Sequence, residues 1–359
     1  MWIHKYLLQP VDSLNSRSIN DPRLGFFIKD LVEEKKTSRG PSDPNSVEPS
    51  PVETLIKNFR SFSDFIHWPE LGDPALPELK DFLMKAADGD FKYPFHLNET
   101  DLTPVKSNAL VSRYDKMLGH EMEIFQDGKF DVLKFKMGRD FKTEHKALMG
   151  LNLKSYLVRI DLNSSLNFKE SKEALDMLKK IPNLEYVEDP TEYGHYHWSE
   201  LEKIVPLALD NYAEFTGRET EYQKESGANK PKHFQYRIVK PLRGFSLPEL
   251  IQLTIQKKKL VLTNMMDNAV GAWKIYFYYC ELKKQFPYHL MTPGFHTHTL
   301  FSNYEYASLL GFNGALWTFQ KGKLQKLMDT LDKLTWLKLN YTDTKSLELI
   351  LSDAEKELR

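Results

Sequence analysis

The chain has 359 residues, 41% of them hydrophobic and 28% charged, with a formal net charge of −1. That length supports a large core, in one barrel-sized domain or in two, and the near-neutral balance gives no electrostatic footprint for nucleic acid. An aromatic content of 13% argues against disorder, and the single cysteine, Cys280, excludes an intrachain disulfide and a thiolate metal cluster; a reducing, cytoplasmic setting fits.

At the N-terminus, "MWIHKYLLQP" has no charged segment followed by a long apolar core, so no signal peptide is expected. "WIHKYLLQ" and "LGFFIKDLV" are predicted strands, separated by the polar loop "DSLNSRSINDP". Residues 36–53 are rich in Ser, Pro and charge and predict a long loop. "VETLIKNFRSFSDFI" and "LPELKDFLMKAA" carry apolar residues at spacings of three and four, which predicts two helices. Residues 1–105 are therefore expected to form a small α+β domain.

Over residues 106–320 the rhythm changes. Eight short apolar runs follow: "NALVSR", "DVLKFKMG", "SYLVRIDLN", "LEYVEDP", "IVPLALDN", "QYRIVKP", "KLVLTNMMDN" and "YHLMTP". Most lead into a helical pattern, and several are nearly continuous in Val, Leu, Ile and Tyr, as in strands buried on both faces. Strands alternating with helices imply parallel pairing, and eight units predict an α/β fold of the (β/α)-barrel type. A doubly wound sheet is the alternative, but there is no Gly-x-Gly-x-x-Gly turn and no phosphate-binding loop. "AVGAWKIYFYYC", the most apolar long segment, is interrupted by Lys274 and too short to span a bilayer. Within residues 321–359, "LQKLMDTLDKL" and "SLELILSDAEKEL" predict amphipathic helices packed on the rest of the protein.

The middle runs carry charge at their C-terminal ends: Lys136, Asp161, Glu188, Asp210 and Lys240, about one βα unit apart. In a barrel those ends meet at one face, where active sites sit. Buried charges cost several kcal/mol each unless paired or metal-bound. Three carboxylates without thiolates favour a hard cation, and Mg²⁺ fits best, with Mn²⁺ as a substitute. Lys134 and Lys136 are two apart in a strand and share a face. At about 7 Å and an effective dielectric near 20, their repulsion is about 2.4 kcal/mol, enough to lower one ammonium's pKa by roughly 1.7. A lysine so depressed is a usable general base. The plainer alternative is two lysines blunting a solvated edge strand.

Taken in order, these motifs resemble the enolase superfamily, in its muconate-lactonizing branch. "KFKMG" is similar to that branch's Lys-x-Lys, "RIDLN" to Arg-x-Asp-x-Asn, "YVEDP" to Glu-x-Pro, "LALDN" to Leu-Asp-Glu and "RIVKP" to Lys-Pro. "LTNMMDNAVG" resembles the Ser-rich motif of the seventh strand, and residues 1–105 take the place of the capping domain. The resemblance implies a small carboxylate substrate, Mg²⁺ held by Asp161, Glu188 and Asp210, and Lys136 removing the proton α to the carboxylate to give an ene-diolate. Lys240 stays an ammonium on the opposite face, and Lys134 supports Lys136. Arg159 orients Lys136 or the substrate, or offsets nearby carboxylates; Asn163 supports Asp161 or simply turns the chain. Asn264 and Asp267 are expected near the substrate.

Within the branch, the short cap and "RIDLN" look most like the dehydratase that aromatises a succinyl-substituted hydroxycyclohexadiene carboxylate in menaquinone biosynthesis. Racemisation of N-succinylamino acids on the same scaffold is the first alternative, and a barrel that only binds is the second. The chain departs from the branch at Asn211 where Glu is usual, at Thr263-Asn264 for the usual serines, and at Asp267 for the usual Glu. "DSLNSRSIND" sits where a mobile specificity loop would lie. The pairs His195/His197 and His296/His298 are expected as solvated loop residues rather than metal ligands.

Overall fold

In the computed structural model the described residues are 2–11, 22–29, 49–68, 97–114, 118–210, 233–243, 247–338 and 352. The polar loop after Val11, the helix expected over "LPELKDFLMKAA", Asn211 and most of "SLELILSDAEKEL" lie outside them.

Near the N-terminus, β1 (Trp2–Leu8) and β2 (Arg23–Lys29) pair antiparallel. Helix α1 (Pro51–Phe59) starts at Ser50, whose hydroxyl accepts the Glu53 N–H while the Glu53 carboxylate accepts the Ser50 N–H. Val52, Leu55, Ile56 and Phe59 form its buried stripe. The expected helix over "VETLIKNFRSFSDFI" stops there. The chain turns at Arg60 and Ser61, and β3 (Phe62–Ile66) pairs with β2. Residues 59, 62 and 66 keep helical spacing, so periodicity could not see the break; pairing with β2 overrides it.

After β4 (Val105–Lys106) come β5 (Ala109–Val111), β6 (Val132–Lys136), β7 (Leu157–Asp161), β8 (Leu184–Glu188), β9 (Leu207–Leu209), β10 (Tyr236–Val239) and β11 (Lys259–Leu262), parallel neighbours in that order. Helices α2 (Leu118–Asp127), α3 (Phe141–Met149), α4 (Phe168–Leu178), α5 (His195–Leu201) and α6 (Leu247–Ile255) lie between them in sequence, and α7 (Ala269–Gln285) follows β11. Asp140 and Asn167 cap α3 and α4 by accepting the N–H groups of Thr143 and Glu170. Almost all of α7 is buried, and among the described residues no helix is long and apolar enough to cross a membrane.

The eighth run, "YHLMTP", is an irregular stave. It touches β11 through bridges at Leu260–Leu290 and Thr263–Gly294, and reaches the start of β5 through the Asn108 N–H to the Pro293 carbonyl at 2.8 Å. Pro293 has no N–H to donate, which interrupts the ladder. The row opposite Lys136 runs through Asp161, Glu188, Ala208, Tyr236 and Lys259. Carried across the eighth stave, it returns to the β6 stave about eight residues earlier, the stagger of a (β/α)₈ barrel.

Tyr186, Ala208, Ile238 and Val261, with Tyr236 and Met291 against them, fill the barrel interior. A larger core lies between the strands and the helices. After β12 (Phe312–Asn313), β13 (Leu316–Trp317) and α8 (Lys321–Leu331), the short β14 (Leu337–Lys338) pairs with β1, so the C-terminal chain returns to the N-terminal sheet.

Candidate active site

Lys136, Asp161 and Glu188 stand directly opposite one another across β6, β7 and β8. Ala208 continues that row, and Asp210, two residues on, shares its face. Tyr236 lies opposite Ala208, so Lys240, four residues further, faces the same way. With the stagger described above, a fixed height moves about one residue along each successive strand. All five groups therefore gather at the carboxyl mouth. β6 is flanked by β5 and β7, so the edge-strand reading of its lysines fails.

The electrostatics differ in one respect from the expectation. Lys134 Nζ sits 2.9 Å from Asp161 Oδ2 and 2.7 Å from Glu188 Oε1. Burial opposes its charge, but Asp161 and Glu188 overcome that and hold its pKa well above the ordinary lysine value. Lys136 is pushed down to about 8. Burial is the main cause, Asp161 opposes it, and the Lys134 and Lys240 ammoniums add smaller downward contributions. The lysine pair alone is thus not what depresses Lys136; desolvation does most of it. Burial and Asp161 raise Glu188, whereas Lys134 and Lys136 hold Asp161 low against the effect of its own burial. Lys240 is ion-paired to Asp210.

Among the described residues no group of three or more His, Cys, Asp and Glu side chains is arranged to hold a metal ion. The three acids do not surround one point: Lys134 stands between two of them and Lys240 against the third. The donor chemistry nonetheless suits a hard cation. Glu188 is 1% exposed, and its Oε2 is buried without a hydrogen-bond partner, a costly arrangement that an ion would relieve.

Arg159 is fully buried. Its Nε donates to Glu185 Oε2 at 2.6 Å, and its Nη1 donates to Asn108 Oδ1 at 3.1 Å and to the Thr292 carbonyl at 2.7 Å. The guanidinium also stacks over Tyr186. These bonds tie β7 to β8, the start of β5 and the eighth stave, beneath the mouth. Of the expected roles, offsetting a carboxylate is the one the contacts support, and the carboxylate is Glu185. Asn163 serves Asp161 through its main chain: its N–H donates to Asp161 Oδ1 at 3.2 Å, while its side-chain nitrogen has no partner.

Asn264 and Asp267 have partners inside the protein. Asn264 donates to the Phe295 carbonyl and accepts from the Thr297 hydroxyl, and Asp267 accepts the Met265 N–H. Both are buried, Asp267 near the Asp64 carboxylate of β3. They knit the end of β11 to neighbouring segments.

The histidine pairs also differ from expectation. His296 and His298 are half-buried among Phe130, Phe312 and Tyr304, and desolvation pushes them down to about 3 and about 4, so both are neutral. His195 begins α5, and His197 in that helix stacks on Phe168.

One group escaped the sequence reading. Asp189 follows Glu188 in "YVEDP"; burial and the Asp210 charge raise it to about 7. Its place beside a strand-end acid was the available signal. Thr263, which stands where the branch has a serine, ends the β11 stave with a buried, unpartnered hydroxyl.

Solved structures share this architecture. The L-Ala-D/L-Glu epimerase from Bacillus subtilis superposes with a TM-score of 0.61 at 10% identity, over 89% of this chain and 95% of that one. MenC from Desulfotalea psychrophila LSv54 does so with a TM-score of 0.54 at 16% identity, over 88% and 98%. The chain has the enolase-superfamily fold. An enolase-type barrel is also what the ordered strand-end motifs imply. No family model matches the chain. By sequence, the chain is similar to an o-succinylbenzoate synthase from Bdellovibrio bacteriovorus, 25% identical over 351 residues that span 93% of this chain and 97% of that protein.

Proposed function

We propose that the protein is an o-succinylbenzoate synthase, a carbon–oxygen lyase that dehydrates 2-succinyl-6-hydroxy-2,4-cyclohexadiene-1-carboxylate to 2-succinylbenzoate. The observation that carries this is the Lys136 amine, brought down to about 8 beside a cluster of acids, with Lys240 in the same mouth. The similar sequence bears the name of that enzyme. A menaquinone-pathway role and a cytoplasmic setting belong to the same proposal. So does the division into a cap of residues 1–105, a barrel of 106–320 and a C-terminal segment of 321–359.

In this reading Asp161, Glu188 and Asp210 hold Mg²⁺, or Mn²⁺ in its place. When bound, the ion supplies Lewis-acid stabilisation of the charge that builds on the substrate carboxylate. Lys136, neutral in a useful fraction of molecules near pH 8, removes the proton α to that carboxylate. Lys240 presents a fixed positive charge to the developing anion. Lys136, once protonated, is placed to return its proton to the departing hydroxyl. Before the ion binds, Lys134 stays charged between Asp161 and Glu188 and keeps the two acids from repelling each other, so it is no base itself.

Two lysines at one mouth also suit a two-base racemase, and racemisation of N-succinylamino acids is the second reading. For a dipeptide epimerase, the eighth stave "MTPGFHTH" lacks an Asp-x-Asp to hold a substrate amine. The test supplies the cyclohexadiene acid with Mg²⁺ and follows the aromatic product by ultraviolet absorbance. Lys136→Ala and Lys240→Ala should each lower turnover by at least 10²-fold, about the range for general acid–base groups. Wild-type turnover in both variants would refute the assignment, and racemisation without dehydration would favour the second reading.

A further inference from the structure

The strand ends around the acids are not in ordinary backbone conformations. Asn163, Ser164 and Asp189 have φ of 49°, 52° and 40°, the left-handed region that non-glycine residues rarely adopt. Such strain persists where surrounding bonds enforce it, and it clusters at functional sites. Here the enforcing bonds are visible.

β8 and β9 form a regular parallel ladder in which the Val187 N–H donates to the Pro206 carbonyl at 2.9 Å and the Asp189 N–H to the Ala208 carbonyl at 3.0 Å. In a parallel ladder the next rung would run from the Asp210 N–H to the Asp189 carbonyl. That carbonyl is turned toward β7 instead and accepts the Ser164 N–H at 2.8 Å. The Asp210 N–H goes to the Asp189 side chain, Oδ1, at 3.0 Å. A carboxylate thus replaces a main-chain rung, and one residue joins the ends of three staves, those of Asp161, Glu188 and Asp210.

We propose that Asp189 is a positioning residue: its carboxylate sets the end of β9, and with it the Asp210 carboxylate, relative to Glu188 and Asp161. The inference rests on the reading that those three acids hold a divalent cation. Asp189 acts through Asp210, and its contribution is the hydrogen bond, so Asn should serve and Gly should not. Gly takes a φ of 40° without steric cost but offers no acceptor; Asn tolerates that conformation and keeps the acceptor oxygen.

The experiment titrates Mg²⁺ into the metal-free full-length protein by calorimetry, for the wild type, Asp189→Gly and Asp189→Asn. Thermal unfolding without Mg²⁺ checks that each variant is folded. Asp189→Gly should bind Mg²⁺ about tenfold more weakly or worse, the usual consequence of losing a ligand's supporting partner, and Asp189→Asn should stay close to wild type. Wild-type affinity in Asp189→Gly overturns the proposal. So does Asp189→Asn binding as weakly as Asp189→Gly, because the charge would then be what matters. A wild type that binds no Mg²⁺ removes the underlying reading and this proposal with it, and that result is separate from either variant's.

Discussion

At the residue scale, contact with the carboxylates decides which of two desolvated lysines is a base. Lys134 and Lys136 are chemically identical and two residues apart, yet Lys134 rests on two carboxylates while Lys136 feels Asp161 too weakly to offset its burial. The base is active when neutral, so kcat/KM should rise with pH along a limb whose midpoint lies at or below about 8, a bound cation adding further positive potential. A pH–rate profile that is flat from 6 to 9 would contradict this. Arg159 makes a different argument. Arg159→Met strands the Glu185 carboxylate in the interior, and removing one partner of a buried pair costs roughly 3–5 kcal/mol, readable as a lower denaturation midpoint in urea. The five mouth residues were legible because each sits at the end of an apolar run at barrel spacing. Asp189 was not, because its role depends on the direction of a peptide carbonyl, which the residue types do not encode.

At the element scale, the junction of the N-terminal sheet and the barrel is built on carboxyl groups. Asp64 of β3 accepts the Gly271 N–H in the first turn of α7 at 3.1 Å and the Tyr6 hydroxyl from β1. Asp267 lies close by, and a Cβ on Gly271 would come within 2.4 Å of the Asp267 Cβ. Burial and the Asp267 charge raise Asp64 to about 7. A carboxyl raised in the folded state binds its proton more tightly there than in the unfolded chain. Its stabilising contribution is therefore complete below about pH 4 and is lost as pH rises through about 7. Wild-type melting temperature should fall across that window relative to Asp64→Asn, which lacks the titration. Parallel pH profiles for the two proteins would contradict it. The strand that carries Asp64 was mistaken for helix because Phe62 and Ile66, four apart, fit both periods and Phe59 continues the helical one; only the partner β2 resolves the ambiguity, and a partner strand is not local information.

At the scale of the whole molecule, the barrel converts distant sequence into one mouth. Lys136 and Lys240 are far apart along the chain, and the stagger of the staves returns them to a common height. Seven of the eight expected strands, and their order, were legible from the alternation of apolar runs with helical patterns. The closure was not: the eighth stave holds by two bridges, one main-chain bond to β5 and the Arg159 guanidinium, all long-range contacts. The central claim is that Asp161, Glu188 and Asp210 hold one divalent cation once the Lys134 and Lys240 ammoniums yield their places. The most direct measurement is a crystal structure of the Mn²⁺-soaked protein with an anomalous difference map. The account predicts one strong peak within bonding distance of all three carboxylates, with Lys134 withdrawn from between Asp161 and Glu188. A well-ordered mouth without that peak at saturating Mn²⁺, or a peak on other residues, would contradict it.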